Sequence, residues 1–214
     1  VLDCLRAWGF HKNKIRTNVI PDGQSFVFSD TLGLNRGRDG RTLITGLSKR
    51  YPNFSRLLTR WFHDNVRKDF PMTSISVNSS YAARRHRDRN NCGPSFIKAF
   101  GKFRGGNLRW WPDDVGHGDV QDLRTSDSRV IKVKNAAVFD GKKAHEVTPY
   151  TGAERFSLVF FTVGKYWEAA NQAQKACKDL GFDWPNEASL KRASDEVANQ
   201  NRKRKRPSAS SGPS

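Results

Sequence analysis

Three side chains in this sequence have the types and spacing of a mononuclear metal site. His86 and Asp88 are separated by one residue, and His145 lies far downstream, after a short apolar segment and a glycine turn. If residues 81–88 form a β-strand, alternate side chains point the same way, so His86 and Asp88 enter one lumen. Two imidazoles and one carboxylate bind one face of Fe(II) and leave its other positions open. The pattern predicts a catalytic iron centre made by His86, Asp88 and His145.

An arginine and a serine follow the third ligand at a spacing that suits a carboxylate site. Arg155 lies ten residues after His145, and Ser157 lies two further along the same expected strand. A guanidinium fork binds a carboxylate through two hydrogen bonds, and a neighbouring hydroxyl adds another donor. The open metal positions suit a bidentate 2-oxo acid and O2. The residues therefore predict 2-oxoglutarate as cosubstrate, with an ordinary ion pair as the alternative role of Arg155.

The elements that must position these residues are mostly short strands separated by turn signals. An aromatic and aliphatic stripe at helical spacing predicts a helix over 54–69, and Pro71 ends it. Further helices are predicted over Lys165–Leu180 and about 187–200. The pattern is typical of a mainly β (α+β) sandwich or barrel covered by helices. Candidate strands are 73–78, 81–88, 95–103, 106–111, 129–134, 136–140 and 154–163.

This reading divides the chain into four parts. Residues 1–72 form flanking strands and a helix on the barrel, and residues 73–164 form the catalytic core. Residues 165–200 form C-terminal helices, and the polar composition of 201–214 predicts a basic disordered tail. The chain opens at Val1, so we expect it to be a piece of a longer protein.

The charge of the chain indicates a polyanionic partner. Its 214 residues carry a net charge of +17, and the excess is not confined to the tail. We expect nucleic acid as the partner, with DNA favoured, and no membrane association. The basic run 202–206 predicts nuclear import, with a solubilising tail as the alternative. Three cysteines without metal or redox spacing indicate reduced thiols in an intracellular compartment.

The sequence leaves two interpretations open for each of two loops. The glycine- and arginine-rich segment 33–41 is either a phosphate contact or a solvated loop. The segment 112–119 contains His117 among aspartates and is either a second metal site or a flexible acidic loop, which we favour.

The candidate site residues resemble those of the Fe(II)/2-oxoglutarate-dependent dioxygenases. The resemblance covers residues 73–163 and includes Gly105-Gly-Asn-Leu108, which is similar to a glycine-rich strand of that superfamily. It implies a double-stranded β-helix, a jelly-roll barrel flanked by helices. It also implies the iron and 2-oxoglutarate roles given above, and places Tyr81 where some members have a polar residue reaching the cosubstrate.

Within that superfamily, His86-Arg-Asp88-x-x-Asn91 is most similar to the TET/JBP group, which oxidises pyrimidine 5-methyl groups in DNA. The resemblance implies that Asn91 contacts a flipped base and that succinate and CO2 are released, with ascorbate as an expected stimulant. TET-like members often carry a base-contacting histidine eight residues after the clamp arginine, and here that position is Val163. The base is therefore left open between 5-methylcytosine and thymine.

Cations beside the ligands are expected to attract the substrate's phosphates. Arg84, Arg87 and Arg89 are the candidates, with pairing to acidic side chains as the alternative. Two other classes of function remain open at this point. One is an AlkB-like nucleic-acid demethylase or a protein hydroxylase of the same superfamily, and the other is a non-catalytic nucleic-acid-binding domain.

Overall fold

The computed structural model describes residues 1–37 and 39–205, in which helices pack on a body of antiparallel strands. The helices of this part are α1 (Leu2–Ala7), α2 (Gly46–Arg50), α3 (Pro52–Asn65), α4 (Asn171–Asp179) and α5 (Glu187–Lys205). Its strands are β1 (Lys12–Asn13), β2 (Val27–Arg36), β3 (Thr42–Ile44), β4 (Ser74–Ser79), β5 (Ser95–Phe100), β6 (Arg104–Gly105), β7 (Leu108–Trp110), β8 (Arg129–Ile131), β9 (Ala137–Phe139), β10 (His145–Val147), β11 (Tyr150–Thr151) and β12 (Phe156–Phe161). No helix within these residues is long and apolar enough to cross a bilayer.

The main sheet has the strand order β1-β2-β4-β12-β5-β9, with β3 paired to the C-terminal end of β2, residues 34–36. Along β4, Ile75 and Val77 alternate with polar residues, so one face of the strand is apolar and the other polar. The register places Leu158 of β12 opposite Val77, and Ser157 opposite Asn78, so the alternation continues across the sheet. One face of this sheet therefore meets the helices, and the other faces the lumen.

Helix α3 covers the apolar face of the main sheet. The Phe62 ring centroid lies 4.9 Å from that of Phe96 and 4.5 Å from that of Phe160. Leu58 on the same stripe is also fully buried. Truncating a buried aromatic residue of this kind costs about 3–5 kcal/mol. The helix predicted over 54–69 is thus present, but it ends at Asn65 because Val66 leaves the helical conformation.

A second, smaller sheet lies across the lumen from the main sheet. It has the order β10-β7-β8, and a further pair joins β11 to β6. Ser76 and Ser157 of the main sheet line the same cavity, of about 1160 Å³, as Leu108 and His145 of the smaller sheet. The predicted mainly β fold, a double-stranded β-helix flanked by helices, is confirmed.

The segment 81–88 is not the predicted strand. Ser80 adopts a left-handed backbone conformation (φ 58°) that ends β4, and the chain continues without a ladder. Individual hydrogen bonds hold it instead: His86 forms an isolated bridge with His145, and the Asp88 N–H donates to the Gly141 carbonyl. The two ligands therefore enter one site through this bridge and not through strand alternation.

Other boundaries also differ from expectation. The segment 33–41, predicted as a loop, begins inside β2, which continues to Arg36. The helix predicted from Lys165 begins at Asn171, because Ala170 is extended and a 3-10 turn occupies Tyr166–Glu168. Helix α5 continues through 201–205, where the disordered tail was expected to begin, and 206–214 lie outside the described residues.

Candidate metal centre

The backbone brings the two histidines side by side. The His86 N–H donates to the His145 carbonyl and the His145 N–H to the His86 carbonyl, each at 2.9 Å. Their ring centroids are 4.2 Å apart, and both side chains are buried. Asp88 completes a group in which one ligand atom from each residue lies within 4.8 Å of the others. Residues 59 positions apart in sequence thus form one compact cluster.

The second nitrogen of each histidine fixes which atom faces the cluster. His86 Nδ1 lies 2.7 Å from the Arg84 carbonyl oxygen, and His145 Nδ1 lies 2.9 Å from the Lys143 carbonyl oxygen. A carbonyl only accepts hydrogen bonds, so both Nδ1 atoms carry a proton, and in a neutral imidazole of this tautomer Nε2 has a free lone pair. The Nε2 atoms lie 3.5 Å and 3.8 Å from the Asp88 carboxylate oxygens, so three electron-pair donors converge.

The protonation states of the cluster also suit a cation. Burial lowers the pKa of His145 to about 4, with a contribution from the neighbouring His86, so this imidazole is neutral at pH 7. Burial alone would raise the pKa of Asp88, but the contact with His86 and the positive charge that either histidine gains on protonation hold it well below its usual range. A metal requires neutral imidazole and ionised carboxylate, and His145 and Asp88 meet these requirements without it.

The donor set decides which metal fits. Two imidazole nitrogens and one carboxylate oxygen, all on one side of a buried cavity, match a two-histidine, one-carboxylate facial site with open positions, the donor set of Fe(II) oxygenases. Among the described residues, His86, Asp88 and His145 are the one group of three or more histidine, cysteine or acidic side chains that lie close enough together to bind a metal ion. The alternative second site around His117 does not form there, since His117 is exposed and Asp114 is paired elsewhere.

Arg155 is a buried cation in the same lumen. Its Nε and Nη2 donate to the Gly106 carbonyl oxygen at 3.3 Å and 2.8 Å, and it makes no ion pair with a carboxylate in the described part of the chain. Burial lowers the pKa of the guanidinium, which reports the cost of holding this charge away from water. An anion that enters the lumen would offset this cost.

The absence of a side chain at Gly106 makes room for this arginine. Gly106 has φ +59°, and a Cβ there would lie 2.6 Å from Arg155 Nε. The glycine-rich segment before β7 therefore has a physical reason: it lets the backbone carbonyl approach the guanidinium closely.

Polar side chains line the lumen together with Arg155. Ser157, two residues on, accepts a long hydrogen bond (3.5 Å) from Asn78 Nδ2. The Tyr81 hydroxyl donates to Asn78 Oδ1 at 2.9 Å. The structure thus brings Tyr81, Arg155 and Ser157 into the same cavity as the metal cluster. From the sequence, Asn78 was noted only because Asn78-x-x-Tyr81 slightly resembles a stretch of AlkB-like chains, and its alternation with Ser76 in an apolar strand was the available structural signal.

Asn91 contacts a metal ligand in this structure. Its Nδ2 donates to Asp88 Oδ2 at 3.1 Å, and the side chain is buried beneath the bridge that joins Asn91 to Val163. One of the two amide N–H donors is therefore used to orient the carboxylate, and the base contact that the sequence resemblance implies for Asn91 stays a prediction.

We predict that Asn91→Ala weakens metal binding about 10–100-fold, because outer hydrogen bonds that orient a ligand typically contribute this much. Metal titration of the purified variant measures the change. The matched control is Asn90→Ala, which alters an exposed neighbouring side chain. Unchanged metal affinity in Asn91→Ala would leave substrate contact as the role of this residue.

Arg87 lines the cavity but is held by an ion pair. The side chain is buried and pairs bidentately with Asp114, with Nε–Oδ2 and Nη2–Oδ1 distances of 2.7 Å and 2.8 Å. It also donates to the carbonyls of His117 and Gly118. Four of its five N–H donors are used in these contacts, which favours the alternative of pairing with an acidic side chain, and substrate binding by Arg87 stays a prediction.

Asp114, missed by sequence reasoning, ties the two ligand segments together. Besides Arg87, it accepts a hydrogen bond from the Ala144 backbone N–H at 2.6 Å, directly before His145. Burial alone would raise the pKa of Asp114, but the hydrogen bond from Arg87 and two backbone donors hold it at about 2. The carboxylate thus anchors both the segment of His86 and that of His145.

We predict that Arg87→Met lowers the free energy of unfolding by about 3–5 kcal/mol, because it leaves the Asp114 carboxylate buried without its cation. Urea unfolding measures this loss. Arg89→Met, at an exposed neighbouring position, is the control and should stay within about 0.5 kcal/mol of wild type. If Arg87→Met is as stable as wild type and binds nucleic acid less tightly, the ion pair is not its main role.

The remaining cations lie at the mouth of the cavity. Arg84 and Arg89 are exposed and line the opening. Arg84 pairs with the exposed Asp22, and an exposed pair of this kind contributes little and exchanges readily. Both arginines remain predicted contacts for substrate phosphates.

Comparisons with known proteins give likenesses in structure. Neither a scan against protein-family models nor a search of curated proteins gave a match. Among solved structures, the chain is similar to a 2OG-Fe(II) oxygenase family oxidoreductase from Burkholderia pseudomallei, with 20% identity, a TM-score of 0.47, and coverage of 74% of this chain and 75% of that one. It is also similar to NgTET1 in complex with 5mC DNA, with 14% identity, a TM-score of 0.42, and coverage of 71% and 69%. A third is a prolyl-4-hydroxylase from Pseudomonas putida, with 15% identity, a TM-score of 0.34, and coverage of 77% and 97%.

Proposed function

We propose that this protein is an Fe(II)- and 2-oxoglutarate-dependent dioxygenase. One observation carries the proposal: a buried guanidinium without a carboxylate partner among the described residues shares a lumen with a two-histidine, one-carboxylate cluster. A 2-oxo diacid has one end that chelates a metal and another that pairs with a guanidinium. Such a ligand satisfies both features of the lumen at once.

The residues of the chain have separate tasks in this proposal. His86, Asp88 and His145 would hold the iron. Arg155 would bind the distal carboxylate of 2-oxoglutarate, with the Ser157 hydroxyl as a further donor. With these groups bound, 2-oxoglutarate and O2 become succinate and CO2, and the second oxygen atom enters a C–H bond of the substrate.

We infer that the substrate is DNA and that the oxidised group is the 5-methyl group of a pyrimidine. The support is the likeness of His86-Arg-Asp88-x-x-Asn91 to the TET/JBP group, the net charge of +17, and the exposed Arg84 and Arg89 at the mouth. The cavity of about 1160 Å³ exceeds the ~300–1,000 Å³ typical of single-ligand pockets, so a cosubstrate and a flipped base have room together. The basic run 202–206 supports a nuclear location.

An AlkB-like nucleic-acid demethylase is the second candidate. The hydrogen-bonded pair Asn78 and Tyr81 in the lumen favours it, since a similar polar pair occurs in that group. A further arginine shortly after the clamp is typical of AlkB-like chains, and residues 156–164 contain none. We therefore place it second.

The test is a profile of every nucleoside after incubation with Fe(II), 2-oxoglutarate and ascorbate. The substrates are single- and double-stranded DNA with 5-methylcytosine, DNA with thymine only, DNA with N-methylated bases, and methylated RNA. The proposal expects a hydroxymethyl or more oxidised pyrimidine in DNA and none with Asp88→Ala. Loss of an N-methyl group as formaldehyde would support the second candidate. Unchanged nucleosides in all samples would contradict the nucleic-acid substrate.

A further inference from the structure

A second guanidinium reaches the lumen from the N-terminal segment. Arg16 lines the cavity, and its Nη1 donates to the hydroxyls of Ser29 and Ser76 at 3.2 Å and 3.4 Å. No ion pair with a carboxylate is formed by Arg16 within residues 1–37 and 39–205. Sequence reasoning gave no signal for this residue, because it precedes the barrel strands by many positions and occurs in a stretch without a motif.

The two serines hold Arg16 as acceptors. Both hydroxyls are buried, and each donates its proton to Asn78 Oδ1, at 2.8 Å from Ser29 and 3.0 Å from Ser76. Their lone pairs are therefore free to accept from the guanidinium. Arg16 is thus held in place by neutral groups that leave its charge uncompensated.

Arg16 and Arg155 occupy different parts of the lumen. In the strand register, Ser29, Asn78 and Ser157 form a row across β2, β4 and β12. Neighbouring strands lie about 4.8 Å apart, so the Ser29 end of the row is roughly 10 Å from the Ser157 end. Arg16 lies at the first end, and Arg155 directly precedes β12, the strand of the second end.

Arg16 and the metal cluster line the same cavity. A cation within electrostatic range of the ligands attracts an anionic group bound beside the metal.

We propose that Arg16, supported by Ser29 and Ser76, forms a second oxyanion-binding subsite beside the metal, separate from Arg155. Its ligand is a carboxylate or phosphate oxygen. The inference rests on the proposed function, which offers two sources: the metal-chelating carboxylate of the 2-oxo acid, or a phosphate of the nucleic acid. A guanidinium recognises both in the same way, through two parallel N–H donors.

Equilibrium binding without O2 tests this inference on the metal-loaded protein. Arg16→Gln removes the charge, Arg16→Lys restores it, and Arg60→Gln is the control at an exposed position on α3. The probes are 2-oxoglutarate, 2-oxobutyrate (which lacks the distal carboxylate), inorganic phosphate, and a methylated oligonucleotide at several salt concentrations. Thermal unfolding of each variant shows that it is folded.

Either of two results would support the subsite, and they distinguish the two sources of its oxyanion ligand. If Arg16 binds the metal-chelating carboxylate, Arg16→Gln weakens 2-oxoglutarate and 2-oxobutyrate alike, by about tenfold or more. If Arg16 binds a phosphate, both 2-oxo acids bind as in wild type. The oligonucleotide then binds less tightly, and the slope of its log K against log salt concentration becomes shallower by about one. Arg16→Lys regains part of the affinity in either case.

The proposal of this subsite is overturned if Arg16→Gln binds every probe with the same affinity as the wild-type protein and the Arg60→Gln control. Failure of the proposed function gives a different result: the wild-type protein then binds no 2-oxo acid. In that case the phosphate and oligonucleotide titrations still decide whether Arg16 binds an oxyanion.

Discussion

Replacing His86, Asp88 or His145 with alanine is expected to abolish stoichiometric metal binding. Each substitution removes one of three converging donors, and the two ligands that remain bind a divalent ion too weakly to retain it in an open site. The loss should exceed the roughly 100-fold that follows from removing an outer hydrogen bond. Metal content after purification and the Kd for added Fe(II), measured without O2, report it.

The control for this series is His117→Ala. It removes an exposed histidine in a loop whose backbone, but not its imidazole, contacts Arg87. Metal binding and thermal stability should match wild type. Retention of one equivalent of metal by Asp88→Ala, in protein that unfolds cooperatively, would contradict the assignment of the cluster.

Arg155→Gln is expected to weaken 2-oxoglutarate binding about 100-fold while leaving 2-oxobutyrate binding unchanged. Two charge-assisted hydrogen bonds contribute about 3 kcal/mol together, and each 1.4 kcal/mol is a factor of ten in Kd. The difference between the two acids isolates the distal carboxylate, which only the first has. Titration of the metal-loaded variant with each acid measures the ratio.

The stability of the unliganded protein offers an independent check on Arg155. The cation is buried, with the Gly106 carbonyl as its hydrogen-bond acceptor, so its removal relieves an uncompensated buried charge. Arg155→Met should therefore be at least as stable as wild type when no ligand is bound. A large loss of stability, together with unchanged affinity for 2-oxoglutarate, would assign Arg155 a structural role instead.

The sequence allowed the chemistry of the site to be predicted because residue type and spacing carry it. Two histidines, a carboxylate and a later arginine limit the choice of metal and cosubstrate, and the structure places all of them in one lumen. The apolar stripe of α3 was equally readable, since helical periodicity is a local property.

The features that sequence reasoning missed depend on distant partners. Arg87 lies between two ligands and was taken as a phosphate contact, but its partner Asp114 is 27 positions away. The segment 81–88 was predicted as a strand, but its geometry comes from a bridge to His145. Arg16 reaches the lumen only because β1 and β2 pair and carry the N-terminal segment over the opening. None of these pairings leaves a periodic pattern.

Succinate formation in the presence of methylated DNA tests the central claim most directly. The reaction contains the wild-type protein, Fe(II), 2-oxoglutarate and O2, with and without DNA carrying 5-methylcytosine or thymine. We predict that succinate forms at a rate that DNA increases, that one oxidised pyrimidine is formed for each DNA-dependent succinate, and that His86→Ala and Arg155→Gln show neither product. Protein that holds one iron and binds 2-oxoglutarate, yet forms no succinate with any DNA, would contradict the account.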